Sequence, residues 1–176
     1  IRIKYKILRI LKIQTGEDQK LIEQKIFDKW MSGILEDRSA QINRNTVFIG
    51  RGVSSELSFQ VVKKYGGRCV LHSQWMHPIK HARMLEDAFS DAGNSYRPIP
   101  AERIQKQLRE IELCDKVWCI SKLVFDSYLE NGVPREKLFL APLGVDTSYF
   151  KPKEIASKGS LGRQVILFVG NINIEK

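Results

Sequence analysis

"KVWCISKLVFDSYLENGVPREKLFLAP", residues 116–142, decides the fold. Two short runs of β-branched, aromatic and aliphatic residues, "KVWCIS" and "KLFLAP", flank a segment with the composition of a compact helix. Ser121 stands where that helix needs an N-cap, and Gly132 where a helix ends through a left-handed residue. Strands separated by a crossover helix cannot pair as a hairpin, so these two run parallel.

The same grammar continues outward. Toward the N-terminus "TVFIG" predicts a strand, and Ser54 or Ser55 caps a helix through Leu57, Phe59, Val61 and Val62 that Gly66 ends. "RCVLHS" predicts the next strand. Pro78 suits the first turn of a helix running to about Ala92 with Gly93 as its stop, and Pro100 opens another over "PAERIQKQLREIEL". Beyond residue 150, "KPKEIASKGSLGRQ" reads as a surface connector and "QVILFVG" as one more strand. The expected architecture is α/β, a doubly wound and mainly parallel sheet with both faces covered, in other words a Rossmann-like lobe.

Two helical patterns precede it. Asp18 starts one through Leu21, Ile22, Ile26, Trp30, Ile34 and Leu35, a stripe expected to lie in the core. "IRIKYKILRILKI" places Ile3, Ile7, Ile10 and Leu11 on one helical face with Arg and Lys around most of the rest. Both packing against the domain and lying on an anionic lipid surface are open to it.

The bulk numbers bound the partners. With 176 residues, 43% hydrophobic and 28% charged, the chain can bury one full core. It begins at Ile1 and stops at Lys176 soon after a strand-like run, so a fragment of a longer polypeptide, truncated at both ends, is expected. Against 20 Asp+Glu stand 29 Lys+Arg, a net charge of +9 that favours anionic partners. No aromatic-interleaved basic cluster and no zinc-finger spacing occur, so nucleic acid is not among the expected partners and no metal is. Cys69, Cys114 and Cys119 are odd in number, and two lie in apolar strand-like runs, which points to buried reduced thiols of a cytosolic protein. No apolar run approaches the ~18 residues of a membrane span.

Open parallel sheets bind ligands at the carboxyl ends of their strands, which selects the candidate residues. After "KLFLAP" comes "LGVD": Gly144 permits a close backbone approach or a positive φ, and Asp146 either closes a turn or accepts a hydrogen bond from a ligand hydroxyl. In "VLHSQWMHP", His72 ends a strand and His77 lies in the following loop. Each either bonds a ligand hydroxyl or only satisfies loop backbone. Trp75 between them either stacks on a ligand ring or packs, and His81 reads as structural. "IGRGVSSE" offers Gly50, Gly52 and a helix start at Ser54, which is either a phosphate cradle or a tight strand-to-helix turn.

Asp115, Ser121, Gly132, Val133, Lys137, Gly144, Val145, Asp146, Phe150 and Pro152 together fit a phrase of the retaining, two-lobed GT-B glycosyltransferases often called family 4, and "ILFVGNINIEK" resembles the opening of their second lobe. The resemblance covers about residues 45 to 176. It implies that residues 1–150 are the later part of an N-terminal, acceptor-side lobe, 151–163 an interdomain linker, and 164–176 the first strand of the donor-binding lobe. The implied activity moves a sugar, with retention, from a nucleoside diphosphate donor (a UDP- or GDP-sugar) to a glycan, lipid or small-molecule acceptor. No obligatory cofactor is implied, and the location is cytoplasmic, with peripheral contact on the inner face of an anionic membrane. On this resemblance His72 or His77 contacts the transferred sugar, while Gly144, Asp146, Gly170, Asn171 and Lys176 belong to the donor side. The family often has Arg directly after "FVG"; Asn171 stands there, leaving Lys176 as the diphosphate's cation. The alternative is a Rossmann-like anion-binding or membrane-associated module without catalysis.

Overall fold

A computed structural model describes residues 16–95, 98–151, 167, 169 and 170. The order is α1 (Gly16–Asp37), β1 (Val47–Arg51), α2 (Glu56–Lys64), β2 (Arg68–Ser73), α3 (Pro78–Asp91), α4 (Ala101–Leu113), β3 (Lys116–Cys119), α5 (Lys122–Glu130) and β4 (Leu138–Leu140). The four strands form one sheet in the order β1-β2-β3-β4, all neighbours parallel. All four expected strands from "TVFIG" to "KLFLAP" are present. "QVILFVG" lies mostly outside the described residues, as does "IRIKYKILRILKI".

The local signals explain the helix ends. Ser121 accepts a hydrogen bond from the Val124 amide and caps α5. Gly66, Gly93 and Gly132 take positive φ values of 80°, 66° and 83° just past α2, α3 and α5, where a Cβ is strained. Gly50 serves another need: a Cβ there would stand 2.3 Å from Ser55 Oγ and 2.6 Å from Phe59 Cε1, so only glycine lets α2 pack this close to β1.

Strand order dictates the layers. Sequential parallel neighbours joined by right-handed crossovers place their connecting helices on the same face. Accordingly Cys69, Leu71, Val117, Cys119 and Leu138 form one core with Phe59 and Val62 of α2, Ile111 of α4, and Val124, Phe125 and Tyr128 of α5. All three cysteines are free and buried, and burial first of all pushes the Cys69 thiol up to about 12 and those of Cys114 and Cys119 to about 11.

The alternate residues face the other way, and there the expectation of double cover is not met among the described residues. Val47 and Ile49 are more than half exposed. His72, Trp118 and Phe139 form a ring ladder on this side, with centroid distances of 4.4 Å and 6.2 Å. The apolar runs read as strands covered on both faces; among the described residues one of those faces carries the helices.

The α1 stripe also departs from expectation. Leu21 is buried, but Ile26 and Trp30 are exposed. What docks this helix is Asp28, fully buried against α2. Leu35 still packs against the core as the stripe was expected to, and the Asp28 carboxylate shares the docking with it.

Candidate functional site

A polar crevice of about 60 Å³ opens at the carboxyl ends of β1 and β2. The end of β1 supplies Arg51, the turn after it Gly52 and Val53, the end of β2 His72, Ser73, Gln74 and Trp75, and α4 supplies Arg103, Gln107 and Glu110. From α1, Gln24 reaches the same rim, its side-chain Oε1 buried and without a hydrogen-bond partner among the described residues. The floor is tied by Ser73 Oγ, which lies 2.7 Å from the Tyr128 hydroxyl and donates to Trp75 O at 2.8 Å.

The β1–α2 turn that edges this crevice is strained. Val53 has φ 71°, a left-handed conformation that a β-branched residue rarely adopts and that survives only where its surroundings impose it. Glu110 imposes it: its carboxylate accepts from Val53 N at 2.5 Å and from Ser55 N at 2.8 Å. One turn on, Asp28 accepts from Leu57 N and Ser58 N, each at 3.0 Å, and from Ser58 Oγ at 2.9 Å. Ser55, though at the N-cap, makes no side-chain cap bond. The start of α2 is therefore an anion site already filled by two of the protein's own carboxylates, which assigns "IGRGVSSE" to a strand-to-helix turn and removes it as a phosphate cradle.

Charge balance in this cluster is uneven. Lys106 Nζ lies 2.7 Å from Asp28, 3.3 Å from Glu56 and 3.8 Å from Glu110, and Arg109 Nε lies 2.5 Å from Glu56. Three carboxylates thus share two cations. Burial raises the pKa of Asp28, but Lys106 with the Ser58 and Leu57 amides outweighs it and holds the group below its ordinary value. Burial likewise opposes, and Arg109 and Lys106 overcome it, at Glu56. Glu110 keeps the deficit: burial pushes it up to about 7 against the Ser55 and Val53 amides and Lys106.

The residues expected at the site are only partly gathered there. His72 borders the crevice, with its ring against Trp118. His77 is 3% exposed, donates its backbone N–H to Ser127 Oγ at 3.0 Å and packs edge-on against Tyr128 at 5.4 Å. Burial lowers its pKa, so it stands as a neutral packing residue at the start of α3. Trp75 is half exposed, its ring 5.3 Å from His81. Gly144 lies after the far edge strand; its φ is not positive and a Cβ there would meet nothing within 4 Å. The described residues by themselves do not demand glycine there. Asp146 closes a turn, accepting from Ser148 N at 2.8 Å and Ser148 Oγ at 2.6 Å, and these bonds hold its carboxyl below the ordinary range. Gly170 is described and exposed, whereas Asn171 and Lys176 lie outside the described residues.

The residues of the resembling phrase divide by role. Asp115 accepts from Cys69 N at 2.7 Å and pairs with Lys63 at 2.5 Å, fixing β3 beside β2. Ser121 caps, Gly132 turns and Val133 is buried. Lys137 donates to Glu112 O at 3.0 Å near the end of α4. The fold uses all of these. It does not bury Val145 or Phe150, which are 64% and 65% exposed beside Leu143 and the still more exposed Tyr149. Sequence reasoning missed Glu110, Lys106 and Gln24 altogether, because a lone charged or amide residue on a helix carries no signal that it points inward. No protein-family model matches this chain, and neither do the curated proteins or the solved structures with which it was compared.

Proposed function

We propose that this chain is the later part of the acceptor-side lobe of a retaining, nucleotide-sugar-dependent glycosyltransferase of the GT-B type, with the activity residing in the longer polypeptide. The observation that carries the reading is the segment Leu143–Phe150. Its backbone is shaped by the Asp146 turn, with Tyr149 N and Phe150 N also bonded to Asp146 O, yet its apolar side chains are left in solvent. A shaped apolar run at the carboxyl end of a parallel strand is what a second lobe would close against. The link from it to the middle of the sheet is short, because Trp118 Nε1 donates to Ala141 O at 2.6 Å and its ring meets His72. Among the described residues β1 has one unpaired edge and one sheet face carries no helix, which fits a sheet that continues and becomes doubly wound in the full polypeptide.

The chemistry asks for a cleft that excludes water and for fixed positive charge at the departing diphosphate. In this reading Gly144 and Asp146 line the cleft, His72 sits toward the transferred sugar, and Gly170, Asn171 and Lys176 face the donor. His77, being buried, supports the loop and does not touch substrate.

The test is release of nucleoside diphosphate from UDP- and GDP-sugars by the full-length polypeptide. Asp146→Ala removes an exposed side chain whose bonds stay within its own turn, so it should cost about 1 kcal/mol, as a lost cap does, and leave the lobe folded. Its turnover should fall about tenfold or more, as expected when a cleft segment is misplaced. Turnover equal to wild type in the folded variant, or no release from any donor by the wild type, contradicts the proposal.

A further inference from the structure

The turn from Arg51 to Ser54 has a second arrangement open to it. Ser54 N donates to Arg51 O across it at 3.2 Å, and of its two central residues only Val53 has a positive φ, 71°. This is the type II pattern, which takes glycine or asparagine at its third position; here the glycine is Gly52, one place before it. Rotating the Gly52–Val53 peptide by about half a turn gives type I, in which the third residue has a negative φ open to valine and the outer bond is kept. The peptide that would rotate is the one whose N–H, on Val53, is bonded to Glu110 Oε2 at 2.5 Å.

Glu110 can hold either arrangement. Ionised, it only accepts, and both oxygens are used: Oε2 by Val53 N and Oε1 by Ser55 N at 2.8 Å. Lys106 Nζ lies 3.8 Å from Oε1, which keeps negative charge on that oxygen and directs a proton to Oε2. A protonated Oε2 is a donor facing a donor. Rotation of the peptide removes that clash, because Gly52 C=O then faces Glu110 in place of Val53 N–H, and it releases the strained φ at the same time. We propose that the Gly52–Val53 peptide is a proton-driven two-state switch, with its N–H turned to ionised Glu110 and its C=O turned to protonated Glu110. The crevice wall that Gly52 and Val53 form thereby changes its hydrogen-bonding character with pH.

The surroundings leave Glu110 as the titrating member of its cluster. Asp28 of α1 is paired with Lys106 of α4, and Glu56 of α2 with Arg109 of α4; both carboxyls are held below their ordinary values. Burial instead pushes Glu110 up to about 7. Across the crevice stand Arg51 of β1, His72 of β2, Arg103 of α4 and Tyr128 of α5. Burial raises the Tyr128 hydroxyl well above its ordinary value, and the guanidinium groups keep their charge, so His72 is the neighbour that a test must separate from Glu110. The inference concerns the fold alone and does not rest on the transferase reading.

The experiment is nuclear Overhauser spectroscopy of the isotope-labelled protein against pH. In type II the Val53 amide proton lies close to the Gly52 α-protons, and in type I close to the Gly52 amide proton. Moving from about pH 9 to about pH 5 changes the ratio of Glu110 protonation states roughly ten-thousandfold, so the first contact should give way almost wholly to the second. The midpoint should coincide with titration of the Glu110 carboxyl carbon. Glu110→Gln puts an amide donor where the hydroxyl would be and should show the flipped turn at both ends of the range, which separates Glu110 from His72. Val53→Gly removes the penalty at positive φ, so its midpoint should move toward acid by about one unit, a roughly tenfold change. Retention of the α-proton contact at about pH 5, a pH-dependent change that persists in Glu110→Gln, an unflipped turn in that variant, or an unmoved midpoint in Val53→Gly overturns the proposal.

Discussion

Asp28→Ala is expected to destabilise the protein by about 3–5 kcal/mol, the range for removing one partner of a buried ion pair. Asp28 is fully buried and Lys106 4% exposed, so the variant leaves an ammonium group without its closest partner. It also orphans the Leu57 and Ser58 amides and the Ser58 hydroxyl at a helix start that has no cap of its own. Against a domain stability of ~5–15 kcal/mol, this is enough to leave much of the protein unfolded near 37 °C. Asp28→Asn keeps an acceptor for one of the amides and removes the charge, and should cost as much while Lys106 remains charged. Adding Lys106→Met to Asp28→Asn should then recover part of the loss, because the buried ammonium that lost its closest partner is gone. Urea denaturation of the single and double variants reads this directly. A loss below ~1 kcal/mol for Asp28→Ala would mean that the pair is solvated.

The second large effect is a decline of stability on the alkaline side, set by Glu110. Its carboxyl rises from an ordinary 4.5 to about 7 in the folded protein, so the folded state holds the proton more tightly than the unfolded chain does. Its contribution is complete below pH 4.5 and is lost as pH rises through about 7. A rise of that size corresponds to ~3 kcal/mol. Asp28 and Glu56 act in the opposite sense. Their folded values are lowered, so their contribution is present above the ordinary carboxyl range and is lost as pH falls through the folded values. Stability should therefore peak near about pH 5 and fall by roughly 2–3 kcal/mol toward pH 8, most of it before pH 7. In Glu110→Gln the alkaline decline should disappear, at a stability reduced by the one backbone amide that a carboxamide oxygen cannot serve. An undiminished decline in that variant would assign it to another group.

The two results concern the layer that sequence reasoning could not see. Strand and helix limits were readable because each had a chemical signature: Pro78 and Pro100 at helix starts, Ser121 as a cap, Gly66, Gly93 and Gly132 at positive φ. Burial of the cysteines followed from the runs that hold Cys69 and Cys119. The charged cluster had no such mark. Lys106, Arg109 and Glu110 read as the polar face of an amphipathic helix, and their pairing with Asp28 and Glu56 depends on how α1, α2 and α4 pack, which no local pattern encodes. For the same reason the stripe of Ile26 and Trp30 misled: apolar periodicity names a face, not what that face meets. That helices cover one face of the sheet among the described residues was not legible either, because a continuous apolar run does not say which of its faces carries helices.

At the site, position along the strands was legible and side-chain role was not. His72, Trp75 and the Gly144 segment all lie at carboxyl ends of strands, as the parallel topology requires. His77 is only five residues from His72, yet it is enclosed by Ser127 and Tyr128, and the sequence carries no trace of that enclosure. Val53 at φ 71° is invisible as well, since nothing in "RGVSS" distinguishes a strained valine from a relaxed one.

Amide hydrogen exchange of the full-length polypeptide, with and without a UDP- or GDP-sugar that it turns over, tests most directly that residues 143–150 face a donor cleft. The expected result is slowed exchange of that segment on donor addition, with the amino ends of β2 and β3 unchanged. Unaltered exchange across residues 143–150 at saturating donor would contradict the account.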